Sequence, residues 1–191
     1  MPEGGRIGSP PETTTPQFSA AAAGEPVRTR WMAVLEDGVL AGIVGAAVVA
    51  VWFLILDAAR DQIFFTPSLI GSVLFLGKTV SDVTQVNGLI VFAYTGLHGI
   101  LSLFAGVAVA FMVYEFEENP QFGILLLMLF LLFESILFSF EAAIFPGLVG
   151  AIGTLAVASA NLFSAVAMFW FVLRRHPTAL SRMREAWEDD S

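Results

Sequence analysis

Residues 122–145 read FGILLLMLFLLFESILFSFEAAIF, a run without Lys, Arg or Pro. At about 1.5 Å per helical residue it is long enough to cross a hydrocarbon core of about 30 Å. Two carboxylates, Glu134 and Glu141, interrupt it. An ionisable group at membrane depth is costly and normally faces protein or water instead of lipid. The segment therefore needs neighbours that cover its acids. Three further apolar runs are available, at residues 38–56, 88–114 and 148–173. The chain reads as all-α, an integral membrane four-helix bundle.

Composition agrees. Of 191 residues, 57% are hydrophobic and 14% charged, and the mean hydropathy is +0.78. A soluble domain of this size needs more charge on its surface. There is no Cys, which excludes disulfides, thiolate metal ligands, iron–sulfur clusters and c-type haem. With His98 and His176 as the only histidines, a zinc or di-iron site built from several His is excluded as well. The net charge of −8 argues against a nucleic-acid partner.

Residues 1–30 are rich in Pro, Gly, Ser, Thr and Ala and show no apolar period. They read as a disordered or extended tail, without the basic start and apolar run of a secretory signal. The membrane domain is expected over residues 31–176, with Arg28, Arg30 and Trp31 suited to the headgroup layer. The first span carries small residues at i, i+4 spacing: Gly38, Gly42 and Gly45, with Ala41 and Ala46 among them. Such a face lets another helix backbone approach closely. Gly99 and Gly106 on the second span and Gly153 on the fourth continue the pattern, and all six glycines are expected to pack helices.

After the first span, Asp57, Arg60 and Asp61 suggest a small solvated charge cluster. Thr66–Pro67 then suggests an N-cap and first helical position. The apolar run that follows is too short to span, so residues 66–77 are expected to form a short interfacial or re-entrant helix. Glu115, Glu117 and Glu118 read as a solvated acidic turn before Pro120. At the C-terminus, Pro177 ends the fourth span. In residues 177–191, Leu180, Met183 and Trp187 fall at i, i+3, i+7, which predicts a cytoplasmic amphipathic helix.

Four spans place both termini on one side. That side carries Arg6, Arg28, Arg30, Arg174, Arg175, Arg182 and Arg184, against Arg60 and Lys78 on the other. The excess puts both termini in the cytoplasm by the positive-inside rule, in a bacterial inner membrane. Counting residues from the span ends puts His98 and Glu134 at a similar depth of about 15 Å, with Ser159 near the same level. Glu141 lies two turns beyond Glu134 on the same face, about 10 Å nearer the outside. Tyr94 and Thr95 lie one turn before His98 and share its side. Glu134, Glu141, His98, Tyr94, Thr95 and Ser159 thus form a candidate polar layer inside the membrane.

That layer supports three readings. Buried carboxyls and a His can lock a bundle together as neutral, hydrogen-bonded groups. An Asp/Glu/His chain can conduct protons through a small channel or transporter. A lone mid-helix His98 can be the axial ligand of a haem or chlorophyll-type pigment, although Tyr94, four residues before it, crowds the space a macrocycle needs. The chain has no Gly-rich phosphate loop, HExxH, GxSxG or ExxH pair, so it is not expected to be an enzyme. The expected function is a non-catalytic accessory or structural subunit, a scaffold within a larger membrane complex of respiratory or photosynthetic type. The expected partners are membrane lipids and other membrane subunits, with pigment or lipid bound at the periphery.

Overall fold

In the computed structural model the described residues are 27–119, 128, 131, 132, 135, 139 and 146–177. They are helical, with short connections and no strand among them. Five α-helices are resolved in this set: α1 (Val27–Ala58), α2 (Phe65–Leu76), α3 (Gly88–Glu118), α4 (Pro146–Ile152) and α5 (Thr154–Arg175). A 3-10 turn, Val80–Asp82, lies between α2 and α3. Three helices, α1, α3 and α5, are long and apolar enough to cross a membrane. Of residues 122–145, which include Glu134 and Glu141, only Met128, Leu131, Leu132, Ser135 and Ser139 are among the described residues, and all five are helical. The amphipathic tail expected after Pro177 lies outside them too.

Helix α1 is the centre of the packing, with α3 and α5 against it. Val34 and Ala41 of α1 meet Val109, Ala110 and Val113 of α3 and Met168 and Val172 of α5 in one buried cluster. The α1–α3 crossing is set by glycine. A Cβ on Gly38 would lie 2.5 Å from Val107 Cα, and one on Gly42 would lie 2.6 Å from the Ser102 carbonyl oxygen. A Cβ on Gly106 would press into the backbone of Gly38 and Gly42. Close backbone approach of this kind maximises dispersion contact between apolar helices where no hydrophobic drive separates them from lipid. Gly45 faces Met168 and Ser164 on α5. Gly99 differs, because among the described residues a Cβ there would meet nothing within 4 Å.

The elements at the opposite end of α1 form a second cluster. Leu69 of α2, Val83 and Ile152 are buried together, with Phe53, Val80 and Leu148 packed around them. Helix α2 sits on α3, where Gly71 leaves room for the Ile90 side chain.

Several boundaries differ from those read in the sequence. Helix α1 starts at Val27, inside the stretch expected to be tail. Helix α2 begins at Phe65, with Phe64 in the left-handed region at φ 65° as its N-cap, so Thr66 is the second helical residue. Gly77, also left-handed at φ 62°, closes α2 by sending its N–H back to the Ser72 and Val73 carbonyls, an ending that suits a residue without Cβ. Asn87 starts α3, its side-chain oxygen accepting from the N–H groups of Leu89 and Ile90, which satisfies two otherwise unpaired donors. Glu115, Glu117 and Glu118 are not a turn; they are the last turn of α3. The fourth apolar run is interrupted at Gly153, whose φ of 101° separates α4 from α5. Gly153 is thus a break between helices; among the described residues the nearest atom to a Cβ there would be Ala156 Cβ at 3.9 Å.

Candidate functional site

Of the expected polar layer, Tyr94, Thr95, His98 and Ser159 are among the described residues, and Glu134 and Glu141 lie outside them. Tyr94 and His98 are together on α3, their rings stacked at 6.1 Å and 19°. This follows from their i, i+4 spacing on one helix. The His98 ring lies against the backbone of Ala46 in α1. Its Nε2 is buried and has no hydrogen-bond partner among the described residues. Thr95 does not join it: its hydroxyl donates to the carbonyl of Val91 at 2.8 Å, one turn back on the same helix. Ser159 likewise donates to its own helix, to the Ala156 carbonyl at 3.1 Å. A hydroxyl satisfied one turn back has less to offer a neighbouring helix. An axial ligand binds through a ring nitrogen, and here Nε2 is itself covered by protein.

The most heavily connected polar group is Asp37, which the sequence analysis did not single out. Its side chain is only 7% exposed, yet it carries a carboxylate. Three side chains converge on it from two other helices. Arg175 Nε of α5 lies 2.8 Å from Oδ1. His176, the C-cap of α5, places Nε2 2.9 Å from Oδ2, and the Tyr114 hydroxyl of α3 donates to Oδ2 at 3.0 Å. A buried charge is tolerable only when paired and hydrogen-bonded, and Asp37 has both. On its other side, His176 places Nδ1 3.1 Å from Glu117 Oε2 of α3. The Tyr114 ring meets the imidazole edge-on at 4.4 Å.

Beside this network, Arg30 of α1 reaches Glu115 at 2.6 Å and Glu118 at 3.0 Å. Trp31 stacks on Phe111 at 5.8 Å with the rings nearly parallel, and Arg174 lies over the Trp170 ring at 3.8 Å. The first residues of α1 and the last turns of α3 and α5 are therefore joined by charge and aromatic contact at one end of the bundle. The signal was present in the sequence as opposite charges bordering three apolar runs: Glu36–Asp37, Glu115–Glu118 and Arg174–His176. Spacing along the chain could not pair them, since the partners are 59 to 139 residues apart.

At the far end of α1, Asp57 is 2% exposed, contrary to the solvated charge cluster expected there. Its two oxygens accept from Thr66, from the N–H at 2.7 Å and from the hydroxyl at 2.5 Å. The carboxylate of one helix end thus caps the N-terminus of the next, where the helix dipole favours negative charge. The chain turns between them through the left-handed residues Asp61 and Phe64.

Beyond the turn, Thr79 and Asp82 form a capping box around the 3-10 turn. The Thr79 hydroxyl and backbone N–H hold the exposed Asp82 carboxyl below the ordinary aspartate range, the hydroxyl contributing most. Two open concavities lie on the surface. One, of about 480 Å³, is lined by polar loop residues from Lys78 to Gly88 together with Ser72. The other, of about 410 Å³, is an apolar groove between α1 and α5 floored by Trp52 and Phe163. No group of three or more His, Asp or Glu among the described residues is arranged to hold a metal ion.

Comparison with known proteins gave no matching family model, curated protein or solved structure.

Proposed function

We propose that this chain is a non-catalytic subunit of a larger membrane assembly, inserted as a four-span bundle with both termini in the cytoplasm of a bacterial cell. The observation that carries the reading is how its polar and apolar groups are divided. The buried carboxylates Asp37 and Asp57 are spent on ties between elements of the same chain, and neither lines either of the two concavities described above. The outer faces of the long helices carry bare apolar side chains: Leu89, Phe92 and Phe104 on α3 and Leu155 on α5 are each more than 70% exposed. Those faces suit acyl chains and the apolar surfaces of neighbouring subunits.

The four-span count is supported by the path of the chain. Helix α3 ends near Arg30 and Arg175, whereas α4 begins beside Val80 at the other end of the bundle. Residues 120–145 must make the return, and as a helix they would reach about 39 Å. Helix α2 then lies at the external face as the interfacial or re-entrant element, and the Asp37 network lies at the cytoplasmic face.

The test is purification of the full chain in mild detergent, with the mass of the native particle measured. A particle holding the 20.6 kDa chain with other polypeptides in fixed ratio is expected; a monodisperse particle of this chain alone overturns the reading. A visible absorption spectrum of the same material tests the respiratory or photosynthetic assignment, because haem or pigment of the partner subunits absorbs there.

A second reading is favoured by one observation, the buried Nε2 of His98 with no partner among the described residues. A small proton channel could run from Glu141 through Glu134 to His98, which the sequence puts at matching depth. Proton flux into liposomes carrying the chain, abolished by Glu134→Gln, is the expected result of that reading; absence of flux in the wild type dismisses it.

A further inference from the structure

The polar concavity of about 480 Å³ lies where α2 ends and α3 begins. The loop that forms it is pinned at both ends. The Lys78 N–H donates to the Ser72 carbonyl at 3.4 Å, and the Asn87 N–H donates to the Ser68 hydroxyl at 2.9 Å. Lys78 and Asp82 both line the hollow, and neither forms an ion pair among the described residues. Thr79 takes only Oδ2 of Asp82, with its N–H at 3.2 Å and its hydroxyl at 2.6 Å, so Oδ1 is an open acceptor. Two neutral donors line the same hollow. Asn87 caps the N–H groups of Leu89 and Ile90, and the N–H of Gly88, the first residue of α3, is left over at the positive end of the helix. Ser72 is 3% exposed, and its hydroxyl has no hydrogen bond among the described residues. That hydroxyl is not sealed from solvent, and the concavity that Ser72 lines is its outlet. A buried hydroxyl without a partner is costly until something that reaches it supplies one.

We infer that this concavity binds the headgroup of a zwitterionic phospholipid carrying a primary ammonium: Lys78, the Ser72 hydroxyl and the Gly88 N–H take the phosphodiester, and Asp82 takes the ammonium.

The inference rests on the membrane insertion proposed above and not on the subunit role. Helix α3 is long and apolar enough to cross a membrane, and Gly88 is its first residue, so the hollow lies at the height of the headgroup layer. Leu89 and Phe92, in the first turns of α3, are 76% and 78% exposed and give acyl chains an apolar surface to follow. Charge selects the headgroup. The Thr79 hydroxyl and N–H hold the Asp82 carboxyl below the ordinary aspartate range, so a lipid of net negative charge meets a fixed carboxylate beside Lys78. Chemistry selects the amine. A quaternary ammonium has no N–H and is held by aromatic faces, and no aromatic residue lines this hollow. A primary ammonium donates hydrogen bonds, which Asp82 Oδ1 can accept.

The test is native mass spectrometry of the full chain in mild detergent, titrated with phosphatidylethanolamine, phosphatidylcholine and phosphatidylglycerol of identical acyl chains. One phosphatidylethanolamine should bind about tenfold more tightly than either of the others. Lys78→Gln should weaken phosphatidylethanolamine and phosphatidylcholine alike by about tenfold, since both carry the phosphodiester. Asp82→Asn should weaken phosphatidylethanolamine alone and so remove the preference. Ser72→Ala should cost about threefold, the loss of one neutral hydrogen bond. Arg60→Gln, a cation outside the hollow, should bind as the wild type does. Equal binding of the three lipids overturns the inference, as do Lys78→Gln and Asp82→Asn variants that keep the wild-type preference. Soluble glycerophosphoethanolamine has the headgroup without acyl chains; if it displaces the lipid at equal concentration, the lipid assignment falls. Lys78 and Asp82 are exposed, so their variants decide if Ser72→Ala does not fold. A chain that purifies without other polypeptides yet selects phosphatidylethanolamine supports this site and overturns only the subunit reading. A chain that purifies with partners and shows no preference overturns only the site.

Discussion

Asp57 and Thr66 are joined twice: the carboxylate of Asp57 takes the Thr66 N–H with one oxygen and the Thr66 hydroxyl with the other. Both residues are buried, so nothing from solvent replaces a lost partner. Replacing Asp57 with Ala leaves two buried donors unmatched, at about 1–3 kcal/mol for each group that finds no substitute. Asp57→Asn keeps one acceptor and should lose less. Thermal unfolding in detergent is the measurement, with the order wild type, Asn, Ala expected. The double variant Asp57→Ala/Thr66→Val should fall short of the summed single losses, because both changes remove the same hydroxyl–carboxylate bond.

The ion pairs at the other end are unequal. Arg30 is about a third exposed and pairs with glutamates that are also partly solvated. Its replacement by Ala should cost no more than about 1 kcal/mol, and added salt should reduce that further. Asp37 is buried beneath Arg175, His176 and Tyr114. Asp37→Ala leaves the Tyr114 hydroxyl and the His176 ring without their shared acceptor, while Arg175, 42% exposed, can turn to water; about 1–3 kcal/mol is expected for each buried donor left unmatched. Equal losses for Arg30→Ala and Asp37→Ala would contradict this account.

Gly106 allows the α1–α3 crossing, because a Cβ there would strike backbone atoms of Gly38 and Gly42 that cannot move aside as a side chain tip can. Gly106→Ala should destabilise by about 1–3 kcal/mol through forced separation of the helices. Gly96 is exposed on the same helix, with nothing among the described residues within 4 Å of a Cβ. Gly96→Ala should be neutral or raise stability by up to about 1 kcal/mol, since Ala is the better helix former. Paired melting curves of the two variants test both signs together.

The Asp82 carboxyl titrates below the ordinary aspartate range because the Thr79 hydroxyl and N–H donate to its ionised form. A lowered folded-state value means that the stabilisation is present above the unfolded value and is lost as the pH falls through the folded one. Thr79→Ala removes the larger of the two donors and should move Asp82 back toward the ordinary range, read by carboxyl NMR titration. Asp82 is fully exposed, so the consequence is local fraying of the 3-10 turn in acid. An unchanged Asp82 titration in Thr79→Ala would refute the assignment.

What the sequence determined by itself is the class of the protein: helical, with helices of membrane-crossing length, and with a further short helix after the first. Those properties depend on apolar run length and on backbone self-pairing, which are local. The stacking of Tyr94 on His98 was legible for the same reason, being one turn of a single helix. The small residues of α1 and α3 were visible too, but the spacing at Gly38 and Gly106 is shared by Gly99, which touches nothing on a neighbouring helix among the described residues. Which face of a helix meets a partner depends on how the helices are rotated against each other, and periodicity alone does not set it. The break at Gly153 was hidden because glycine is equally at home in a packed membrane helix and at a positive φ. The Asp37, Tyr114, Glu117, Arg175 and His176 network was decided only by tertiary structure. Its members lie at the ends of three separate helices, and each alone looks like an ordinary charged or aromatic flank of an apolar run. Only folding brings them within hydrogen-bond distance, and burial then turns a flanking carboxylate into the group that three side chains must satisfy.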